Sequence, residues 1–502
     1  MAPADLEVHT TAGRVRGSTA HGVTVFRGIP FAKPPLGALR FLAPQPPEPW
    51  EGVRDACAFG PPAPQVPFPG TQPVPQHQVD SGEWLTVNVW TPDPGAAGLP
   101  VLVWIHGGAY LFGSSADPGT DGGKFASAGA VLVSCNYRLG VEGFAQISGV
   151  PANRGLLDAV AALRWVAENI RAFGGDPSNV TVFGESAGAG VISALLAMDD
   201  ARGLFRRAIP QSVPGTFFTP DLAADITSAI ADVAGLPATY EALSATPPMR
   251  LVEASMTVTG RIRQFPRWGA VRLTDTPFSP VVDGEVLPRA PWRALLSGAA
   301  REVDLLTGHN RDEYRLFIAM SGRLGKISDE EAATVLESFA PGTDGPAGYR
   351  KSYPEADAGR LFELVFSDWL FRMPTLHLAQ AHAASGGRTF LYELTAEAPA
   401  GQGTYGACHA LDVPMVFGGW GVGIGATLTG ERPPADFAAV GDLMRSEWLR
   451  FASYGEPGWP VYGTERRTTR IYDLQPDVGP YPEETSMHLW ERHQFDTLGL
   501  AG

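Results

Sequence analysis

The sequence predicts an α/β fold, a large central and mostly parallel sheet flanked by helices, and three features predict it. The apolar runs Val101–Ile105 and Val131–Tyr137 are continuous rather than alternating, as expected of strands buried on both faces. Asn153–Phe173 then has helical periodicity, with Leu156, Leu157, Val160, Leu163, Val166 and Ile170 on one face. A short apolar run, Val180–Phe183, leads into Gly184-Glu185-Ser186-Ala187-Gly188 and a helix-compatible stretch ending at Met198. Strand, strand, helix, strand, turn, helix is the order of a parallel-rich α/β sheet.

The remaining elements follow in chain order. Pro34–Pro75 is proline-rich with little periodicity, and reads as an irregular wrap over the core. Leu85–Trp90 reads as a strand ahead of the buried pair. Gly174-Gly175-Asp176-Pro177 stops the long helix. Asp221–Gly345 holds helical segments around a strand at Glu302–Gly308. Leu361–Ala384 reads as a helix interrupted near Pro374, Thr389–Leu394 as a strand and Asp436–Tyr454 as a late helix. No repeat and no long linker is visible, so residues 1–502 are expected to form one domain with helical insertions around 221–345 and 355–385.

Composition bounds the function. The 502 residues are 44% hydrophobic and 18% charged, with a net charge of −15, which disfavours nucleic acid as a partner. No stretch of about 18 uninterrupted apolar residues occurs, so no membrane span is expected. The N-terminal Met1–Thr10 lacks a basic then apolar leader pattern. Three cysteines, Cys57, Cys135 and Cys408, form no CxxC pair and no disulfide framework. A reducing, cytoplasmic location is the expectation, with a monomer or small homo-oligomer acting on a small molecule.

The chemistry centres on Ser186. A strand–turn–helix with Gly-x-Ser-x-Gly at its apex strains the serine backbone and projects its hydroxyl above the sheet. A serine needs a base within hydrogen-bond reach and an acid to orient that base. In the α/β-hydrolase arrangement both follow the serine in the chain, acid first. His309, His377, His382, His409, His488 and His493 follow it. His409 stands out in a small-residue loop, Gly406-Ala407-Cys408-His409-Ala410. For the acid, Asp312 and Glu313 both follow the Glu302–Gly308 strand, and spacing does not separate them. His106-Gly107-Gly108-Ala109, directly after Val101–Ile105, is placed to offer backbone N–H groups to an oxyanion, with the N–H of Ala187 as a further donor. Tyr110, Phe112, Phe317 and Phe417 lie near these motifs and are candidates for an apolar substrate pocket, or for core packing alone.

Several motifs resemble those of the type-B carboxylesterases, which include cholinesterases and bacterial para-nitrobenzyl esterases. They run from Phe26-Arg27-Gly28-Ile29-Pro30-Phe31-Ala32 through Asn136-Tyr137-Arg138-Leu139-Gly140 and Phe173-Gly174-Gly175-Asp176-Pro177 to Phe183-Gly184-Glu185-Ser186-Ala187-Gly188. The resemblance implies an α/β-hydrolase fold and a serine carboxylesterase needing no cofactor or metal. It assigns Ser186 as nucleophile, His409 as general base, Glu313 rather than Asp312 as acid, and Gly108, Ala109 and Ala187 as oxyanion donors. It also implies that Ser212 supports the acid and that Arg138 and Asp158 form a structural ion pair. Trp84 stands where secreted relatives carry a disulfide cysteine, and no equivalent of the choline-binding tryptophan is found. Expected substrates are aromatic or short- to medium-chain esters such as nitrophenyl, nitrobenzyl or phthalate types. Amide, carbamate or lactone hydrolysis on the same residues is the alternative, and a non-catalytic binding protein the remoter one.

Overall fold

A computed structural model describes residues 6–20, 22–67 and 76–501; positions 68–75, the end of the proline-rich wrap, and positions 1–5 lie outside them. Its strands are β1 (Glu7–His9), β2 (Arg14–Arg16), β3 (Ser18–Ala20), β4 (Val23–Pro30), β5 (Val53–Asp55), β6 (Thr86–Thr91) and β7 (Leu99–Ile105). After these come β8 (Val131–Cys135), β9 (Gly175–Glu185), β10 (Arg207–Gln211), β11 (Asp304–Asn310), β12 (Thr389–Leu394), β13 (Thr469–Tyr472) and β14 (Asp477–Gly479). Eleven of them form one sheet in the order β14-β13-β12-β11-β10-β9-β7-β8-β6-β4-β3. The strands from β13 to β8 run parallel, and antiparallel pairs close both edges. β1, β2 and β5 make a small second sheet.

The apolar runs are continuous because both faces of the sheet are covered. Along β7, Val101, Val103 and Ile105 enter one buried cluster, together with Val180 and Val182 of β9. Leu102 and Trp104 alternate to the other face and join Phe183 and Ile209. The helix Arg154–Asn169 covers the first face with Leu156, Val160, Leu163 and Val166. The helix Ala435–Tyr454 covers the second with Val440, Met444, Trp448 and Phe451. Parallel strands buried in this way present their C-terminal ends as one edge, and the loops carrying candidate site residues leave from it.

Differences from expectation have local causes. β8 ends at Cys135 rather than Tyr137, because Asn136 and Tyr137 turn out of the strand to serve neighbouring loops. The Asn136 side chain accepts from the Ser115 N–H at 2.8 Å, and the Tyr137 hydroxyl donates to the His106 carbonyl at 2.9 Å. The interrupted helix is two helices, Ala358–Ser367 and Met373–Ala384, joined by a π-helical turn at Asp368–Arg372. Pro374 has no N–H for the carbonyl of Leu370. That carbonyl instead accepts from the Gly215 N–H at 2.7 Å, which ties the turn to the loop after β10.

Trp84 is fully buried and donates its indole N–H to Val79, so the position is filled by packing rather than by a disulfide. The three cysteines are free, Cys135 and Cys408 buried and Cys57 exposed. Among the described residues no helix is long and apolar enough to cross a membrane.

Arg138 and Asp158 are both fully buried and bound bidentately, at 2.7 and 2.8 Å, while the Arg138 N–H also donates to Asp158 at 2.9 Å. Removing one partner leaves an uncompensated charge in the core. Asp158→Ala should cost about 3–5 kcal/mol of stability, read as a lower denaturant midpoint. An unchanged midpoint would show that the pair carries no such role.

Candidate active site

Ser186 occupies the sharp turn between β9 and the helix Ala187–Leu195, with φ 57° and ψ −122°. The turn is forced by close packing. A Cβ on Gly184 would lie 2.4 Å from the Ile105 carbonyl oxygen, and one on Gly188 only 2.1 Å from the same atom. Only glycine fits at either flank, and the chain reverses tightly enough to raise Ser186 above the strand ends. The Ser186 N–H is held by the Gln211 carbonyl at 3.0 Å.

The His106-Gly107-Gly108-Ala109 loop leaves β7 beside this turn. A Cβ on Gly107 would stand 3.3 Å from the Ser186 Cβ. Gly108, Ala109 and Tyr110 have φ of 110°, 53° and 60°, a run of left-handed residues that coils the loop. The carbonyl of Gly108 accepts from the Leu111 and Phe112 N–H groups at 2.9 and 3.0 Å. Among the described residues the N–H groups of Gly108 and Ala109 donate to no protein acceptor, and Ala187 is the first residue of its helix, where N–H groups have no intrahelical partner.

Glu313 and His409 come from separate loops and meet. His409 Nδ1 lies 2.6 Å from Glu313 Oε2, and the His409 N–H donates to the Glu313 carbonyl at 3.2 Å. The other carboxylate oxygen of Glu313 accepts from the Ser212 hydroxyl at 2.6 Å and from the Asn310 N–H at 2.8 Å. Burial alone would raise Glu313, but the charge of His409 and these donors bring it below the usual range, so it is ionised. Asp312 is used differently. It is bound by Arg311 and Arg360 and accepts from the Ala407 N–H, so it anchors the histidine loop without touching the ring. His309 packs against Tyr481 with its Nε2 2.9 Å from the hydroxyl, and His382 bonds Thr389.

Glu185, the residue before Ser186, was not singled out by sequence. It is 5% exposed and its Oε1 lies 3.0 Å from His409 Nε2. The approach is too misaligned for a hydrogen bond, so Oε1 has no donor and the contact is a charge contact. Nε2 thus faces Glu185, and among the described residues the expected bond from the Ser186 hydroxyl to Nε2 is not made. Burial pushes Glu185 up to about 8, opposed by the charge of His409. Burial also favours the neutral ring of His409, but Glu185 and Glu313 outweigh it and raise the imidazole to about 9. A third buried carboxylate, Asp412, adds to the same field while its Oδ2 accepts from Gln211 and Tyr392 at 2.8 and 2.9 Å. The signal that could have revealed Glu185 is its position: a strand's last residue, one step before a turn, points into the site from the same edge.

The aromatic candidates divide. The Phe317 ring lies 5.3 Å from the His409 ring and is 36% exposed, so it borders open space beside the imidazole. Phe371, unmarked in the sequence, stacks on His409 at 4.1 Å and 27°, and comes from the π-helical turn. Two of the expected pocket residues are instead core. Phe417 is buried among Trp104, Phe125 and Phe183 on the other face of the sheet. Tyr110 is 2% exposed, its ring packs on Phe144 at 4.9 Å, and its hydroxyl abuts Gly190 under the helix after Ser186. Both are near the motifs in sequence, but the helix Asp412–Phe417 carries the Phe417 ring to the other face of the sheet, and the left-handed turn at Tyr110 directs its ring inward. Phe112 is half-buried in the loop after β7, its carbonyl closing over Gly108. Among the described residues no cluster of three histidine, cysteine or carboxylate side chains could hold a metal.

Residues 4–490 match the model of the carboxylesterase family. Para-nitrobenzyl esterase of Bacillus subtilis (strain 168) is 36% identical over 492 residues, 95% of this chain and 96% of that protein. Phenmedipham hydrolase of Pseudarthrobacter oxydans is 34% identical over 90% of this chain and 92% of its own length. The crystal structure of a Geobacillus stearothermophilus carboxylesterase at pH 6.2 superposes with a TM-score of 0.85 at 36% identity, covering 97% of this chain and all of that one. With a nucleophile-type serine turn on a parallel sheet, and this likeness along nearly its whole length, the chain belongs to the carboxylesterase family, has the α/β-hydrolase fold, and is a carboxylic ester hydrolase.

Proposed function

We propose that Ser186, His409 and Glu313 carry out the ester hydrolysis, with the N–H groups of Gly108, Ala109 and Ala187 receiving the oxyanion. The observation that carries this reading is the 2.6 Å bond from His409 Nδ1 to an ionised, doubly hydrogen-bonded Glu313, beside a strained serine turn. In the reaction His409 Nε2 leaves Glu185, turns to the Ser186 hydroxyl and takes its proton as Oγ attacks the carbonyl carbon. The tetrahedral oxyanion then accepts the three N–H groups. The C–O bond to the alcohol breaks, and Nε2–H protonates the departing oxygen. Water repeats the sequence on the acyl-enzyme: it gives a proton to Nε2, and the acid leaves as that proton returns to Oγ. Glu313 holds Nδ1–H throughout and stabilises the imidazolium.

The substrate class follows from the walls. Phe317 and Phe371 set flat apolar rings beside His409, which suits an aromatic or medium-chain ester. Nitrobenzyl and nitrophenyl esters are the proposed class, in keeping with the para-nitrobenzyl esterase among the relatives. Turnover of matched nitrophenyl esters and anilides measures the preference for ester over amide.

Ser186→Ala should lower kcat on para-nitrophenyl butyrate by at least about 10³-fold and abolish stoichiometric labelling by an organophosphate. Retained labelling would remove Ser186 from the reaction.

The pH dependence has a definite sign. The base must be neutral, and two carboxylates hold His409 in its cationic form, up to about 9. kcat/KM should therefore rise with pH through an acid limb well above the usual histidine value of about 6.5. Glu185→Gln removes one carboxylate and should move that limb to lower pH. A limb left in place, or moved upward, would contradict the role given to Glu185.

Phe371→Ala should lower kcat/KM for para-nitrobenzyl esters about tenfold, with a smaller effect on acetate esters of small alcohols. Equal loss on both would mean that the ring supports the histidine loop rather than the substrate.

A further inference from the structure

A cavity lies far from Ser186. It has a volume of about 560 Å³ and sits where β4 and β6, near the β3 edge of the sheet, meet the helices Gly123–Ser127 and Ala435–Tyr454. Strand register places it. Val25 pairs with Trp90, Trp90 with Leu132, Leu132 with Leu102, and Leu102 with Thr181. That row lies three residues before the Ile105–Gly184 pair that leads into the nucleophile turn. β4 is also four strand spacings from β9, about 20 Å at the usual separation. The cavity is therefore toward the opposite end of the strands from the esterase site.

Its chemistry is unusual for a chain of net charge −15. The floor is apolar, formed by Val23, Val25 and the Trp90 ring, while Arg27, Lys124 and Arg445 bring three cations to the wall. Among the described residues neither Arg27 nor Lys124 has a carboxylate within ion-pair distance. The Arg27 guanidinium lies 4.9 Å over the Phe59 ring, and its buried Nε has no hydrogen-bond partner. Lys124 Nζ is 5.8 Å from the Trp420 ring. Arg445 is paired to the exposed Asp442. The one carboxylate in the lining, Asp121, already accepts from the Trp90 indole at 3.2 Å and the Gly123 N–H at 2.8 Å. Burial, then the charge of Arg445, push Lys124 toward its neutral form, against a weaker pull from Asp442. An anion between these groups would relieve that repulsion and supply the acceptor that Arg27 lacks.

We propose that this cavity is a binding site for a small organic carboxylate with a flat apolar body, its acid group held by Arg27 and Lys124 and its body on Val25 and Trp90. The volume is within the range of small-molecule sites. The site is independent of the Ser186 reaction.

The test uses 2-naphthoate as the probe, with 2-naphthamide and inorganic phosphate as comparisons, followed by calorimetry on the whole protein. Saturable 1:1 binding of 2-naphthoate is expected, with at least tenfold weaker binding of the amide, which lacks the charge, and of phosphate, which lacks the apolar body. Arg27→Met and Lys124→Met should each weaken 2-naphthoate about tenfold while esterase turnover stays unchanged. Affinity untouched by both substitutions, or amide binding as tight as the acid, would overturn the proposal. Should either variant fail to fold, a crystal of the unmutated protein soaked in 6-bromo-2-naphthoate decides it. Bromine in the cavity lined by Val25, Arg27, Trp90 and Lys124 supports the site, and bromine found only elsewhere overturns it.

Discussion

The Ile105 carbonyl oxygen is the point on which the site turns. β9 and the helix after it pass so close to this atom that neither Gly184 nor Gly188 can carry a Cβ. That approach compresses the strand-to-helix connection into a single residue, and Ser186 absorbs the reversal at φ 57°. Such a conformation costs on the order of 1–3 kcal/mol and persists only because the surrounding packing over-determines it. Here the packing is the full thickness of a sheet buried on both faces. β7 supplies Ile105 and, two residues on, the Gly107–Ala109 loop, so the same strand that forces the serine turn also delivers the proposed oxyanion donors beside it.

A second constraint is electrostatic. Three carboxylates, Glu185, Glu313 and Asp412, act on one buried imidazole. Burying three anions around one cation would be prohibitive if all were charged. The balance of burial against the charge of His409 and local donors divides them. Glu313, given donors by Ser212 and Asn310, stays ionised. Glu185, whose Oε1 has no donor, is pushed up to about 8, and Asp412 is also raised by burial. The pattern separates the ionised Glu313 from two carboxylates that burial pushes toward their neutral forms.

The wall of the site owes its form to a helix defect. Pro374 breaks the ladder of the helix behind it, the chain takes a π-helical turn, and the freed Leu370 carbonyl bonds Gly215 beyond β10. That turn brings Phe371 onto His409. The proline was visible in the sequence as an interruption. The residue it would aim at the imidazole was not, because a π turn changes the angular position of every later side chain by an amount that periodicity does not encode.

The order of the strands and helices, the serine turn and the glycine loop could be read from local pattern, since burial on both faces writes itself as unbroken apolar runs and tight turns demand glycine. His409 was legible through its small-residue loop, whereas the choice of Glu313 over Asp312 came from family resemblance, spacing alone leaving it open. Tertiary structure puts the two adjacent carboxylates in different places: Glu313 meets His409 and Ser212, while Arg311 and Arg360 hold Asp312 away from the ring. It also decided that Glu185 faces the imidazole, that Phe417 and Tyr110 are buried away from it, and that the buried Phe371 stacks on it. Direction and burial of a side chain are set by contacts between segments tens to hundreds of residues apart, and no local stretch of chain contains them.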